Sequence, residues 1–219
     1  MSTSKPLRAD ARRNRARVLE AAEEVFSAKG VSAPTEEVAR HAGVGVGTVF
    51  RHFPTKEALL EAVLVARFAR LAEEARGLAG ADDAGAALFD FLGRVVGQSA
   101  TKNAFADALI ASGIDPAEAV ADAGRQLWAA LGELLVRAQR SGAVRADIGT
   151  NELVALIVGA SHAARYADRD PEVRARAVVV IFDGLRAAAG QPVMGGARPN
   201  PSAEPAGPAA PAHPGASRT

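Results

Sequence analysis

The chain has 219 residues, a formal net charge of +1 and no cysteine, so disulfides, thiolate zinc sites and cysteine nucleophiles are excluded. Apolar residues form 48% of the sequence, enough for a sizeable core, yet no apolar run is long enough to cross a bilayer. The basic N-terminus is not followed by an apolar stretch, so we expect no secretory signal and a cytoplasmic protein.

The N-terminal segment concentrates positive charge. Residues 1–17 contain one acid, Asp10, and six basic residues: Lys5, Arg8, Arg12, Arg13, Arg15 and Arg17. A local excess of this kind attracts polyanions such as nucleic acids and speeds the encounter with them. A solvated, frayed terminus is the alternative interpretation of the same residues.

Hydrophobic spacing predicts four helices at the start of the chain, over about residues 10–29, 35–42, 46–53 and 55–76. Gly30 ends the first helix and Gly43 ends the second. Thr35 is the expected N-cap of the second helix, because a hydroxyl can accept a bond from a free backbone N–H. We expect Gly43 to adopt a positive φ and Gly45 to permit a tight start of the third helix.

Five further helices are predicted beyond Gly80, over about residues 82–98, 101–112, 116–140, 150–167 and 171–189. No segment shows sustained strand-like alternation, so the predicted fold is all-α. From residue 190 onward the composition changes to mostly Pro, Ala, Gly and Ser. This tail is expected to be disordered, because it can bury too little apolar surface to offset the entropy of ordering it.

A short helix, a glycine turn and a second short helix, over about residues 35–53, are the parts of a helix-turn-helix. When Val49 is set at the centre of the buried face, a rotation of about 100° per residue places Gly47 and Arg51 nearly opposite. Thr48 and Phe50 flank them. A glycine on an outward face lets another molecule approach closely, whereas a helix that only packs has no use for it. The alternative is a three-helix packing unit whose exposed polar face has no function.

The outward residues of the third helix suit the DNA major groove, which accepts a helix and whose guanine edges are most often read by arginine. The same rotation puts Val46 and Phe53 on the buried side and His52 at its edge. Thr48 can contact a phosphate or a thymine methyl. Lys56 lies in the first turn of the next helix, beside free backbone N–H groups, and is expected to form a phosphate site.

Between residues 18 and 60 the chain follows a family pattern, carried by Ala21-Ala22, Phe26, Gly30, Thr35, Val38-Ala39, Ala42-Gly43-Val44, Gly47-Thr48-Val49-Phe50, His52-Phe53 and Lys56-Glu57-Ala58-Leu59. This segment, about a fifth of the chain, resembles the N-terminal domain of the tetracycline-repressor (TetR) family of bacterial transcriptional regulators. The resemblance implies a homodimer that places two third helices in successive major grooves of double-stranded operator DNA.

The resemblance also implies which residues contact DNA. The family's DNA-contacting positions correspond to Thr35, Gly47, Thr48, Phe50, Arg51, His52 and Lys56. Two positions depart from the family pattern. Gly45 stands where the family often has serine, and Phe50 stands where it usually has tyrosine, so two hydroxyl contacts are missing. We therefore predict a DNA-binding domain over 1–54, an effector-binding and dimerisation domain over 55–189, and the tail over 190–219.

The last predicted helix is apolar on all sides, which indicates burial against both a core and a partner subunit. The helix before it has one apolar stripe, and Gly159 and Ala163 allow close approach of another helix. The predicted interface residues are Leu153, Leu156, Ile157, Ala160, Ala164, Val180, Ile181 and Leu185. The alternative is that both are core helices of a monomer. The family also has an effector pocket among its central helices, for which the candidates here are Phe89, Phe105, Trp128 and His162. Each of these four has an alternative reading as a core or interface residue.

The leading hypothesis is a DNA-binding transcriptional regulator, usually a repressor that a small-molecule effector releases from its operator. An enzyme is not expected, because the 4 histidines show no metal-ligand spacing and the glycines at 43–47 follow no strand. No metal and no cofactor is predicted. A helical adaptor that binds proteins without DNA is the alternative, although it does not explain the face of Gly47 and Arg51. Steep loss of DNA affinity with salt would favour the regulator.

Overall fold

The structure is a computed structural model that describes residues 4–166 and 170–187. Its helices are α1 (Ser4–Lys29), α2 (Thr35–His41), α3 (Val46–His52), α4 (Lys56–Gly77), α5 (Ala84–Gly97), α6 (Ser99–Ala111), α7 (Pro116–Ala119), α8 (Ala121–Arg140), α9 (Thr150–Tyr166) and α10 (Pro171–Leu185). A 3-10 turn, Leu78–Gly80, follows α4. No strand occurs in these residues, and the predicted all-α fold is confirmed. The predicted tail over 190–219 lies outside the described residues.

Several helix limits differ from the predictions; α10, for example, ends at Leu185 rather than near residue 189. Helix α1 begins at Ser4 rather than near residue 10, and the predicted helix over 116–140 is divided into α7 and α8. Val120 lies between these two helices with a φ of −98° and a ψ of 9°, and its side chain is buried. The prediction of Thr35 as an N-cap is wrong: Pro34 occupies that position, and Thr35 is the first residue of α2, with its side chain packed inward.

The first of two apolar cores holds α1–α4 together. Its buried side chains include Val18, Ala22 and Phe26 of α1, Val38 of α2, Val49 of α3, and Leu59 and Val63 of α4. Residues from further along the chain complete it, because Phe105 and Leu109 of α6 and Val120 are buried in the same cluster. The N-terminal helices are thus packed against α6 and not only against one another.

The second core is formed by the C-terminal helices around α8. Its buried side chains include Ala72 and Ala75 of α4, Leu88, Phe91 and Leu92 of α5, Leu131, Leu134 and Leu135 of α8, Leu153 of α9 and Leu185 of α10. Helix α4 contributes its N-terminal part to the first core and its C-terminal part to the second, and it packs along α8. It is therefore the element that the two cores share.

The segment after α8 closes the bundle against the end of α10. An isolated antiparallel bridge joins Val144 to Arg186, and the Arg145 N–H donates to the Leu185 carbonyl at 3.0 Å. Gly85 of α5 lies against this segment so closely that an added Cβ would be 2.3 Å from the Cβ of Ala143. None of the helices described here is long and apolar enough to span a membrane.

Candidate DNA-binding surface

The turn between α2 and α3 depends on one glycine. Gly43 has a φ of +62°, which side chains with a Cβ rarely adopt, so its predicted positive φ is confirmed. The Gly43 N–H donates to the Arg40 carbonyl at 3.1 Å, and the Val44 N–H donates to the Ala39 carbonyl at 3.0 Å. Gly45 is different: its φ of −70° is accessible to any residue, so the tight start of α3 that Gly45 was expected to permit does not depend on a glycine.

Helix α3 has one buried and one open side, as its spacing predicts. Val49 is fully buried in the first core, whereas Gly47 and Arg51 are exposed. Phe50 is 42% exposed, which is unusual for a ring of this size. Val46 was expected on the buried side but is 38% exposed, because it is the first residue of α3 and projects beyond the core.

The remaining predicted contacts lie around this open side. Thr48 is half-buried, and His52 is half-buried with its ring centroid 6.4 Å from that of Phe53. Lys56 is half-buried in the first turn of α4, and its Nζ lies 5.7 Å from the ring centroid of Phe26. Thr35 alone among the predicted contacts is buried, at 7% exposure. A role for each of these residues in DNA binding stays a prediction.

Two arginines of the basic N-terminal segment bind the protein itself. Arg17 donates from Nη2 to the carbonyl of Ala42 in the turn before α3. A Cβ placed on Gly43 would be 3.0 Å from the same nitrogen. The guanidinium of Arg15 lies 5.1 Å from the ring centroid of Phe53, directly after α3. These side chains therefore contact the end of α2 before the turn and the residue directly after α3, a role that charge alone did not indicate.

The position of Arg17 in the sequence indicates that its side chain can contact the protein itself. It precedes Val18, which is fully buried in the first core, so its side chain leaves α1 beside the apolar stripe rather than opposite it. A basic residue at the border of a buried face can reach a carbonyl at the end of a neighbouring helix. The net charge of the N-terminal segment does not distinguish Arg17 from its other basic residues.

The four candidates for an effector pocket do not share one cluster. Phe105 is fully buried in the first core, where its ring packs edge-on to Phe26 with centroids 6.1 Å apart. Phe89 and Trp128 belong to the second core, and Phe89 lies 5.8 Å from the ring of Phe182. His162 is exposed on α9. The three aromatic residues thus pack in the cores, which is the alternative interpretation given above. An effector site among them stays a prediction.

The predicted interface residues divide between the protomer core and its surface. Leu153, Ala160 and Leu185 are buried within the protomer, and Ile157 and Ile181 are half-buried. The side chain of Ala164 lies outside the described residues. Leu156 and Val180 are 40% and 69% exposed, and they are joined on α9 and α10 by exposed Val158, Val173 and Val179. Val158 lies about 200° around α9 from Leu156 and points away from it, so the other four residues are called the apolar α9–α10 face below.

Two family models match the chain. The model for bacterial regulatory proteins of the tetR family matches residues 18–63, and the model for the C-terminal domain of SbtR-like transcriptional regulators matches residues 83–187. The first model ends within α4 and the second begins just before α5, so most of α4 lies between them.

Solved structures and a curated relative agree with these models. A TetR transcription regulatory protein from Mycobacterium vanbaalenii is 46% identical, with 83% of this chain and 99% of that chain covered and a TM-score of 0.67. A TetR transcriptional regulator from Streptomyces coelicolor is 34% identical, with 80% and 99% covered and a TM-score of 0.65. The HTH-type transcriptional regulator SrpR of Pseudomonas putida is 48% identical over 60 residues, which span 27% of this chain and only 28% of that relative. The near-complete match to the first of these proteins, together with the two family models, shows that the chain belongs to the TetR family of bacterial transcriptional regulators.

Proposed function

We propose that the protein is a dimeric, sequence-specific DNA-binding regulator of transcription whose recognition helix is α3. The observation that carries this proposal is the division of α3 into a buried side around Val49 and an open side of Gly47, Phe50 and Arg51. Because the buried side is fixed in the first core, the open side is presented in one orientation. A groove reader needs such preorganisation, since its contacts depend on the angle at which the helix enters.

The chemistry of the open side favours base edges in the major groove. The guanidinium of Arg51 can donate two bonds to the O6 and N7 of guanine. Phe50 offers an exposed ring that can cover a thymine methyl. An added Cβ at Gly47 would meet no atom within 4 Å, so nothing inside the protein requires a glycine there. Close approach of the DNA backbone or of a base would explain the glycine at this position.

A phosphate site is proposed at the start of α4. The Thr55 side chain accepts a hydrogen bond from the Ala58 N–H at 3.0 Å, which leaves earlier N–H groups of the first turn for another acceptor. Lys56 adds a positive charge in the same turn. Free N–H groups at a helix N-terminus and a nearby ammonium together suit a phosphate, which would fix the register of α3 on the duplex.

Dimerisation is proposed through the apolar α9–α10 face. The four aliphatic side chains of this face are exposed on two helices that pack against each other, and exposed apolar surface of this kind marks an interaction site on a monomer. Pairing two copies of this face around a two-fold axis would bury them in a four-helix interface. A dimer also provides two α3 helices, as two half-sites of an operator require.

Control by an effector completes the proposal. We assign residues 1–54 to DNA binding and residues 55–189 to effector binding and dimerisation. The regulator acts as a repressor, and a small molecule bound in the C-terminal bundle releases it from the operator. Helix α4 would transmit the change, because it is shared by the two cores.

The test is fluorescence anisotropy of the purified protein on the intergenic DNA beside its own gene, with unlabelled random DNA as competitor. Arg51→Ala is expected to abolish specific binding, at a cost of about 1–3 kcal/mol per half-site, while nonspecific binding persists. Lys56→Ala is expected to weaken binding to all sequences alike and to lower the salt slope by about one per subunit.

Two outcomes would contradict the proposal. A wild-type protein that binds no DNA at low salt would favour the adaptor instead. An Arg51→Ala protein that still protects the operator would show that α3 does not read it. Light scattering tests the dimer separately: the wild type should have the mass of two chains, and Val180→Glu should shift it towards one, because a carboxylate in an apolar interface is costly.

A further inference from the structure

Besides the apolar contacts of the first core, one carboxylate joins the N-terminal helices to α4. Glu23 lies on α1, and it accepts bonds from two arginines of α4. Arg67 donates from Nη1 to Glu23 Oε1 at 3.2 Å, and Arg70 donates to Glu23 Oε2. One side chain of the N-terminal unit therefore binds two positions, three residues apart, on the helix that both cores share.

Arg67 extends this connection to a third place. Its Nη2 donates to the carbonyl of Gln98 at 3.2 Å and to the Gln98 side-chain Oε1 at 2.9 Å. Gln98 is the single residue between α5 and α6. Arg67 thus holds α1, α4 and the α5–α6 junction together, and these four side-chain and backbone bonds to Glu23 and Gln98 are called the Glu23 joint below.

Burial makes the Glu23 joint sensitive to the loss of a partner. Arg67 is only 8% exposed. Burial lowers the pKa of Arg67, and the negative charge of Glu23 opposes that effect. Lys102, one turn into α6, also has a pKa lowered by burial and by the positive charge of Arg67. A buried guanidinium with another cation nearby needs its carboxylate, so removal of the Glu23 charge should rearrange Arg67 rather than leave it in place.

An aromatic contact lies next to the Glu23 joint on the same side of α1. Phe26 follows Glu23 by three residues, so both side chains leave α1 in similar directions. The Phe26 ring packs edge-on to Phe105 of α6, with centroids 6.1 Å apart. The Glu23 joint and the Phe26–Phe105 pair therefore lie side by side between α1 and the helices of the bundle. This region of contact is called the seam below. Its apolar pair can serve as the point about which α1 rotates.

The joint is open to solvent on one side. A surface groove of about 410 Å³ is lined by Glu23, Arg67, Arg70 and Gln98, together with Leu71, Glu73 and Glu74. Water can therefore reach the pair of Glu23 and exposed Arg70 from this groove. A contact with this property can set an angle between two packed units without being required for either of them to fold.

We propose that Glu23 is a positioning residue that sets the angle between the DNA-binding helices and the C-terminal bundle through Arg67 and Gln98. This inference rests on the proposed function. Two α3 helices of a dimer must match a half-site separation of about 34–36 Å or a multiple, so their relative angle decides binding to a full operator. A single half-site is contacted by one α3 helix and does not depend on that angle.

The neighbouring acid provides a matched control. Glu24 has its Oε2 2.6 Å from His41 Nε2, so it connects α1 to α2 within the N-terminal unit and not to the bundle. Glu23→Gln and Glu24→Gln remove the same charge from adjacent positions of one helix. Only the first of these variants changes the seam between α1 and α4.

The experiment measures anisotropy on two duplexes, one with a complete operator and one with a single half-site in random sequence. Glu23→Gln should lower the ratio of full-site to half-site affinity by at least about fivefold, a typical size for coupling between sites. Its half-site affinity and the salt slope should stay within about twofold of the wild type. Glu24→Gln should keep the wild-type ratio.

Other results would overturn the inference. A Glu23→Gln ratio equal to that of the wild type, or a parallel loss on both duplexes, would show that Glu23 contributes only to folding. If Glu23→Gln does not fold, Arg70→Gln replaces it, because Arg70 is exposed and weakens the same joint from the other side. An unchanged ratio in that variant would reject the role. A wild type that shows no preference for the full site would instead reject the proposed function.

Discussion

The substitution Gly47→Ala adds one methyl group, which should affect folding stability and DNA binding differently. Gly47 is exposed in the first turn of α3, and an added Cβ would meet no atom within 4 Å. The folded protein therefore has room for alanine. If α3 enters the major groove, however, the new methyl group points towards the DNA. The two consequences have opposite signs, which makes the substitution informative.

The expected magnitudes follow from this geometry. Alanine is a better helix former than glycine by about 0.5–1 kcal/mol, and it restricts the unfolded chain, so the free energy of unfolding should rise by up to about that amount. For a chain of this size the melting temperature should rise by about 1–4 °C. In the complex, overpacking of a close contact typically costs about 1–3 kcal/mol, and a dimer contains two such contacts. Operator affinity should therefore fall by at least about tenfold.

The control is Gly124→Ala in α8, where an added Cβ likewise meets nothing within 4 Å. This variant should gain similar stability and keep the operator affinity of the wild type, because α8 belongs to the C-terminal bundle. Stability is measured by thermal and urea denaturation, and affinity by anisotropy at fixed salt. A Gly47→Ala protein that is more stable and binds the operator as tightly as the wild type would refute close approach of DNA at Gly47.

Three further predictions concern packing, positioning and acid stability. Gly85→Ala should lower the free energy of unfolding in urea by about 1–3 kcal/mol, because its Cβ would lie 2.3 Å from that of Ala143. Arg17→Met should weaken operator binding without changing the salt slope, since this guanidinium bonds a carbonyl at the end of α2; a slope reduced by about one per subunit would mean a phosphate contact instead. The pKa of Asp147 is lowered, first by the hydrogen bond from Arg145 and also by its charge. Its contribution to stability is therefore complete above about pH 4 and is lost as the pH falls through the lower folded pKa, so the difference in melting temperature between wild type and Asp147→Asn should shrink over that range.

The orientation of α3 could be predicted because it depends on local spacing. Val49 is buried and Gly47 and Arg51 are exposed, as a rotation of 100° per residue requires once one buried residue is chosen. The positive φ of Gly43 was predictable for a similar reason, since a turn of this length between two helices requires a left-handed residue. Both features are decided within a few residues of chain.

The contacts of Phe105 and Arg67 could not be predicted in the same way. The spacing of α6 indicates that Phe105 faces inward, but not that the core it enters contains Phe26 of α1. Arg67 and Arg70 follow an apolar stretch of α4, and charge alone would assign both to a solvated face. Arg67 is nevertheless buried, because it pairs with Glu23 of α1. Glu23 lies 44 residues earlier in the sequence. Long-range partners of this kind have no periodic signal.

The shared core also affects how the N-terminal unit can be studied. A fragment that ends at residue 54 would retain α1–α3 but lose Leu59 and Val63 of α4 and Phe105 of α6, all of which are buried in the first core. Burial of each such side chain contributes about 1.5–3 kcal/mol, and a whole domain is stable by only about 5–15 kcal/mol. The loss would be comparable to the entire stability of the fragment. Experiments on DNA binding, on the Glu23 joint and on Gly47 therefore require the full chain, because the helix that reads DNA is held in place by residues of the bundle.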